Sequence, residues 1–134
     1  MGKQYMTVET AALAAADTEV AMVALGAEAA ESRAVESNKT RITRAWVIMS
    51  ADGAALGAGV AWMRLSGAGI DQSEVKLPVG GYGGTLITTG GQTAMLYELT
   101  DLDIAVKAGS DITFNAQMNL DMGTCSMLVT LEIS

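Results

Sequence analysis

From Asp111 to Asn119 the chain changes polarity at every step, with Ile112, Phe114, Ala116 and Met118 on one face and Asp111, Thr113, Asn115, Gln117 and Asn119 on the other. Period two is the spacing of a strand with one buried face. After Asp121-Met122-Gly123 the pattern resumes, with Met127, Val129, Leu131 and Ile133 alternating with Leu128, Thr130 and Glu132. Two alternating runs across a turn predict a terminal hairpin. Its apolar face should line a core.

The same reading extends backwards. Thr40 to Ser50 reads as a strand with Ile42, Arg44, Trp46 and Ile48 on one face and Val47 and Met49 on the other. A strand apolar on both sides lies centrally in a sheet or meets another subunit. Asp52-Gly53 then signals a turn. Gly57 to Leu65 is a further strand, rich in small residues. Val75 to Val79 is a short apolar piece that Pro78 assigns to an edge. Thr85 to Thr88, Thr93 to Leu99 and Leu102 to Val106 read as short strands. Near the start, Thr18 to Leu25 reads as a strand ended by Gly26. Ala11 to Ala16 and Ala27 to Ala34 carry helix propensity, and a loop or short helix is expected after Gly26.

Eight to ten short strands at spacings of roughly ten residues, separated by Gly-rich turns, signal a β-sandwich or barrel, and the expected fold is an all-β, single-domain antiparallel β-sandwich. The 134 residues suit one domain, with residues 1–16 set apart as a candidate flexible N-terminal arm. Aromatic residues are few, so the core must come from Val, Ile, Leu, Ala and the nine Met.

Charge and chemistry narrow the function. The net charge is −7, which disfavours direct binding to a nucleic-acid backbone. Arg33, Lys39, Arg41 and Arg44 form the one basic cluster, and Arg41 and Arg44 are candidate subunit contacts. The chain has no His, which removes Ser-His-Asp chemistry, a partner for a nucleophilic Cys125, and the commonest zinc ligand. One cysteine permits no disulfide within the chain. An enzyme would have to work with carboxylates alone, so none is expected. No cofactor, metal or small-molecule ligand is expected either. Asp101 and Asp103, with Glu98 or Asp71, could offer oxygen ligands to calcium, but a solvated strand face explains them more simply. No run reaches membrane-spanning length, and no secretory signal is visible.

Two features suggest contact surfaces. Gly80-Gly81-Tyr82-Gly83-Gly84 lacks the Lys-Ser/Thr of a phosphate loop and reads as a surface loop tipped by Tyr82. The row Thr113, Asn115, Gln117 and Asn119 is uncharged and rich in paired donors and acceptors. A merely wet face would more often carry Lys and Glu. Neutral amides suit a contact with another chain or a sugar.

The succession TRITRAWVIMSADG, GVAWMRLSGAGI, LPVGGYGG, DIAVKAGSDITFNAQMN and SMLVTLEIS resembles the small single jelly-roll capsid proteins of tailless icosahedral viruses. The resemblance covers residues 17–134 and lies in the texture of strands and Gly-rich corners. It implies a jelly-roll sandwich of two four-stranded sheets. The implied function is a structural capsid or capsid-associated subunit in a virion, whose partners are copies of itself and other capsid proteins. It carries over no catalytic residue. Trp46, Trp62 and Tyr82 are the expected anchors, Trp46 in the core. The alternative is a carbohydrate-binding or adhesin-like β-sandwich, which needs exposed aromatic residues.

Overall fold

Alternation demands that every strand hide one face, and the chain satisfies this with two sheets whose apolar faces meet. The computed structural model describes residues 2–10, 19–24, 32–52, 60–72, 74–80, 85–89, 92–118 and 125–134. Among these residues there is no helix. In chain order the strands are β1 (Gln4–Glu9), β2 (Val20–Ala21), β3 (Val23–Ala24), β4 (Ser32–Ala34), β5 (Arg41–Asp52) and β6 (Val60–Ser66). They continue with β7 (Glu74–Gly80), β8 (Thr85–Thr89), β9 (Gln92–Leu99), β10 (Ile104–Ala105), β11 (Asp111–Met118) and β12 (Cys125–Ile133). β2, β3, β4 and β10 are only two or three residues long; the other strands fit the expected number.

The first sheet runs β3-β1-β12-β5-β9-β8, with β10 also on β5; the second runs β2-β11-β6-β7, with β4 also on β11. Every pairing is antiparallel. The pairs are nested. β1 takes β12, β2 and β4 take β11, β5 takes β9, and β6 takes β7. Successive nested pairs fall in opposite sheets, joined by β12–β5 in one and β11–β6 in the other. A long antiparallel hairpin rolled up in this way has the strand order of a jelly roll.

The core fills from both inner faces. Met6, Val8, Val47, Met127, Val129 and Leu131 come from the first sheet; Met63, Leu65, Ile112, Phe114 and Ala116 come from the second. Each is at most 1% exposed. Phe114 is the only phenylalanine of the chain, and methionines fill much of the remaining volume with flexible thioethers.

Four expectations are corrected. First, β11 and β12 do not form a hairpin: β11 pairs in the second sheet and β12 in the first. Their apolar faces look at each other across the core. Alternation fixes which face is buried, and an arch between sheets satisfies it as well as a hairpin does.

Second, Trp46 is not in the core. The register between β12 and β5 jumps so that Glu132 faces Arg44 while Ile133 faces Ile42. The extra residue, Thr43, makes a β-bulge. Ile42 and Ala45 therefore both point inward, and Arg44, Trp46 and Ile48 point outward.

Third, the run read as one strand from Thr18 to Leu25 is two. β2 pairs with β11 in one sheet and β3 with β1 in the other. The chain crosses between sheets at Met22, which is fully buried and whose amide donates to Phe114 O at 3.0 Å.

Fourth, the end of one helix-prone run and part of the candidate arm carry strands, while Ala11 to Ala16 and residues 27–31 lie outside the described residues. Ser32–Ala34 add to β11, and Gln4–Glu9 sit between β3 and β12 with Met6 and Val8 buried. Alanine is a weak strand former, but an open backbone edge on β11 outweighs so small a propensity. Pro78 does lie on an edge strand, since β7 pairs only with β6 among the described residues.

Candidate functional site

Once the inner faces are committed to the core, the outer faces carry the chain's remaining chemistry, and they differ. On the outside of the first sheet the register sets three rows across the strands. Tyr5, Glu132 and Arg44 form one row, and Thr7, Thr130, Trp46 and Glu98 the next. The third is Glu9, Leu128, Ile48 and Leu96. Among the described residues, the large apolar side chains that stand most open to solvent, Tyr5 (53%), Ile48 (38%) and Leu96 (37%), all lie on this face. Leu128 and Trp46 are half-buried between them. Ile48, Leu96 and Leu128 are neighbours on adjacent strands, so they make a continuous stripe rather than scattered exposures.

A polar group orders one end of this face. The Glu132 side chain is only 8% exposed, although it points away from the core. Lys3 Nζ and the Thr43 hydroxyl each donate to Oε1 at 3.0 Å, and the Tyr5 hydroxyl lies 3.5 Å from Oε2. The hydrogen bond from Lys3 holds the Glu132 carboxyl below the usual carboxylate range; burial opposes it, and Thr43 and the charges of Lys3 and Arg44 add to it. Beside it the Arg44 guanidinium sits 5.5 Å above the Trp46 ring and 3.6 Å from Glu98. Tyr5 and Trp46 approach with ring centroids 6.3 Å apart at 39°. The first strand is fastened here by more than its ladder. Gln4 bonds Ala34 O and the Glu36 amide through its side chain, and Thr10 exchanges two bonds with Met127.

The outer face of the second sheet is polar. Asn115 and Gln117 lie on it, half-buried, in register with Arg64 and Trp62 of β6. Arg64 is held by Glu19, with Glu74 3.8 Å away. The amide row is thus in the middle of a sheet, crossed by a satisfied charge cluster. Tyr82 and Asn119 lie outside the described residues.

The basic cluster does not gather. Arg33 belongs to β4 in the second sheet, while Arg41 and Arg44 belong to β5 in the first. Arg41 pairs with Asp103 at 2.9 Å, and Lys39 lines a shallow cleft with Gly2, Lys3, Ser37, Asn38 and Ser134. The carboxylates considered for calcium are dispersed as well. Asp103 faces Arg41, Asp71 faces Lys107 at 3.8 Å, and Glu98 faces Arg44. Among the described residues no group of three or more His, Cys, Asp or Glu could hold a metal ion. Among the described residues no helix is long and apolar enough to cross a membrane.

Of the contact candidates read from the sequence, Arg44 lies on this outer face, together with Tyr5, Leu96 and Leu128, which the sequence alone does not single out. Tyr5 fell inside the presumed arm. The signal for the rest was the two-sided apolar pattern of β5, whose outer half needed neighbours on β12 and β9 to become a stripe. The chain matches no protein-family model and no curated protein.

Proposed function

We propose that this chain is a structural subunit of a viral capsid, or a protein attached to one, which self-assembles through repeated contacts with copies of itself and with other capsid proteins. The observation that carries the reading is the stripe of Leu128, Ile48 and Leu96 with Trp46 and Tyr5 on the outer face of the first sheet. An antiparallel sheet with one face in water ordinarily keeps that face polar. Contiguous apolar surface on an otherwise well-alternated fold marks a place that another molecule covers. The nested strand order adds support, because it is the order that the resembling capsid proteins imply. The role is mechanical rather than catalytic: surface is buried between copies, and symmetry repeats the contact.

Light scattering and electron microscopy of the purified chain, over a range of protein and salt concentrations, test the reading. Discrete oligomers or shells are expected. A chain that stays monomeric at high concentration in every salt overturns it. A second reading, a carbohydrate-binding module, draws on one observation, the exposed Tyr5 ring beside Trp46. Glycan-array binding by a stable monomer, abolished in Tyr5→Ala, would favour it.

A further inference from the structure

Every open sheet has lateral edges whose unpaired amides and carbonyls invite another strand, and proteins defend them with charge, proline or brevity. The edges of this sandwich are unequally defended. β7, at one side of the second sheet, carries Glu74, Lys76 and Pro78. β2 and β4 at its other side, and β3 at one side of the first sheet, are two or three residues long. The remaining edge is β8, Thr85-Leu86-Ile87-Thr88-Thr89, which among the described residues pairs only with β9. It has five residues, no charge, no proline and no glycine, and each residue favours strands or is neutral to them.

We propose that β8 is the seam by which two copies of this chain join. β8 of one copy pairs antiparallel with β8 of the other across a two-fold axis, so that the two first sheets become one continuous sheet. The proposal rests on reading the chain as a self-assembling subunit, and it names the edge and the partner.

Two observations point to a second copy rather than a foreign strand. The chain carries a net charge of −7, which makes two copies repel at long range, and β8 is an edge of five residues that brings no charge of its own to a contact between them. A two-fold centred on Ile87 sets Thr85 opposite Thr89 of the partner, Leu86 opposite Thr88 and Ile87 opposite Ile87. Every pair is uncharged and compatible with a cross-strand contact. The apolar stripe also runs towards this edge. Leu128, Ile48 and Leu96 lie in register, and the next position in their row is Thr85 of β8. Joining at β8 would bring the stripes of two copies onto the same surface, displaced from each other by four residues along the strands, an isologous arrangement that doubles the area offered to further contacts.

The register makes the test specific. In the full chain, the double substitution Thr85→Lys with Thr89→Lys sets like charges opposite each other twice across the two-fold. The double substitution Thr85→Lys with Thr89→Glu sets opposite charges there instead. Oligomer size is read by light scattering, and folding by circular dichroism. Where the parent assembles, the first variant should remain folded and lose at least tenfold in association constant. The second should recover most of that loss. Amide hydrogen exchange on the unmodified chain gives an independent readout, with protection of residues 85–89 rising on assembly. An assembling parent whose Lys/Lys variant assembles equally well, or whose Lys/Glu variant recovers nothing, overturns the β8 seam alone. Unchanged exchange at residues 85–89 on assembly does the same. A parent that never assembles overturns the assembly reading, and the seam with it.

Discussion

Replacing Phe114 with Ala removes the largest wholly buried side chain among the described residues, from the inner face of the second sheet. Phe114 pairs with Leu65 on β6, and its carbonyl accepts from Met22 where the chain passes between sheets. A fully buried aromatic side chain hides about 150–250 Å². At about 25 cal/mol per Å² of apolar surface, the part lost in going to Ala is worth about 3–5 kcal/mol. Two sheets tied by continuous ladders cannot collapse fully into the space, so a cavity cost keeps the loss at that level. Domains are stable by about 5–15 kcal/mol, so the variant should still fold at 25 °C in most of that range. Urea unfolding is the assay, followed by fluorescence in single-tryptophan variants that retain either Trp46 or Trp62. Those residues lie on the outer faces of different sheets, so each reports its own sheet. With a urea m-value of about 1–3 kcal/mol/M, the midpoint should fall by at least ~1 M in both probes together. Tyr5→Ala, at an exposed position, should cost under about 1 kcal/mol. A loss below about 1 kcal/mol for Phe114→Ala would refute the packing argument. So would a transition confined to the Trp62 probe, because it would deny that one core joins the two sheets.

Glu132 provides a pH test. Its carboxyl is held below the ordinary range, chiefly by Lys3, so its contribution to stability is fully present above the unfolded value of ~4.3 and is lost as pH falls through the lower folded value. Glu132→Gln should be less stable than the parent at pH 7, with the gap in urea midpoint narrowing steadily below about pH 5; a gap constant from pH 7 to pH 3 would contradict the ion pair. At Gly69, a Cβ would lie 2.8 Å from the Asp111 carbonyl carbon and oxygen and 2.8 Å from Ile112 Cγ1. Two of these are backbone atoms of β11 that cannot yield, so Gly69→Ala should cost about 1–3 kcal/mol by thermal or urea melting. Gly109→Ala meets open space but keeps a φ of +81°, and should cost only about 1 kcal/mol, from backbone strain alone.

The strands and their buried faces were legible in the sequence because period two is a local signal. Ile112, Phe114, Val129 and Leu131 all lie in the core as the alternation requires. What alternation cannot encode is partnership. β11 and β12 look like a hairpin because nothing in Asp111–Ile133 distinguishes turning back beside a strand from arching across to the opposite sheet. Nor can it anticipate the bulge at Thr43, whose single extra residue reverses the parity of Ile42 relative to Trp46. The candidate contact face was hidden for the same reason. Tyr5, Leu96 and Leu128 are distant in sequence and become neighbours only through strand pairing.

The position of β12 has a consequence for how the molecule forms. β12 is synthesised after the other eleven strands, yet it lies between β1 and β5. Until it is made, β1 has lost its main partner and one side of β5 is open, so the first sheet stays divided and its outer stripe has no Leu128. Folding must bridge sequence separations of more than 120 residues, as between Thr7 and Thr130, which favours slow and cooperative closure. A chain truncated before β12 therefore lacks both the joined first sheet and the complete outer stripe.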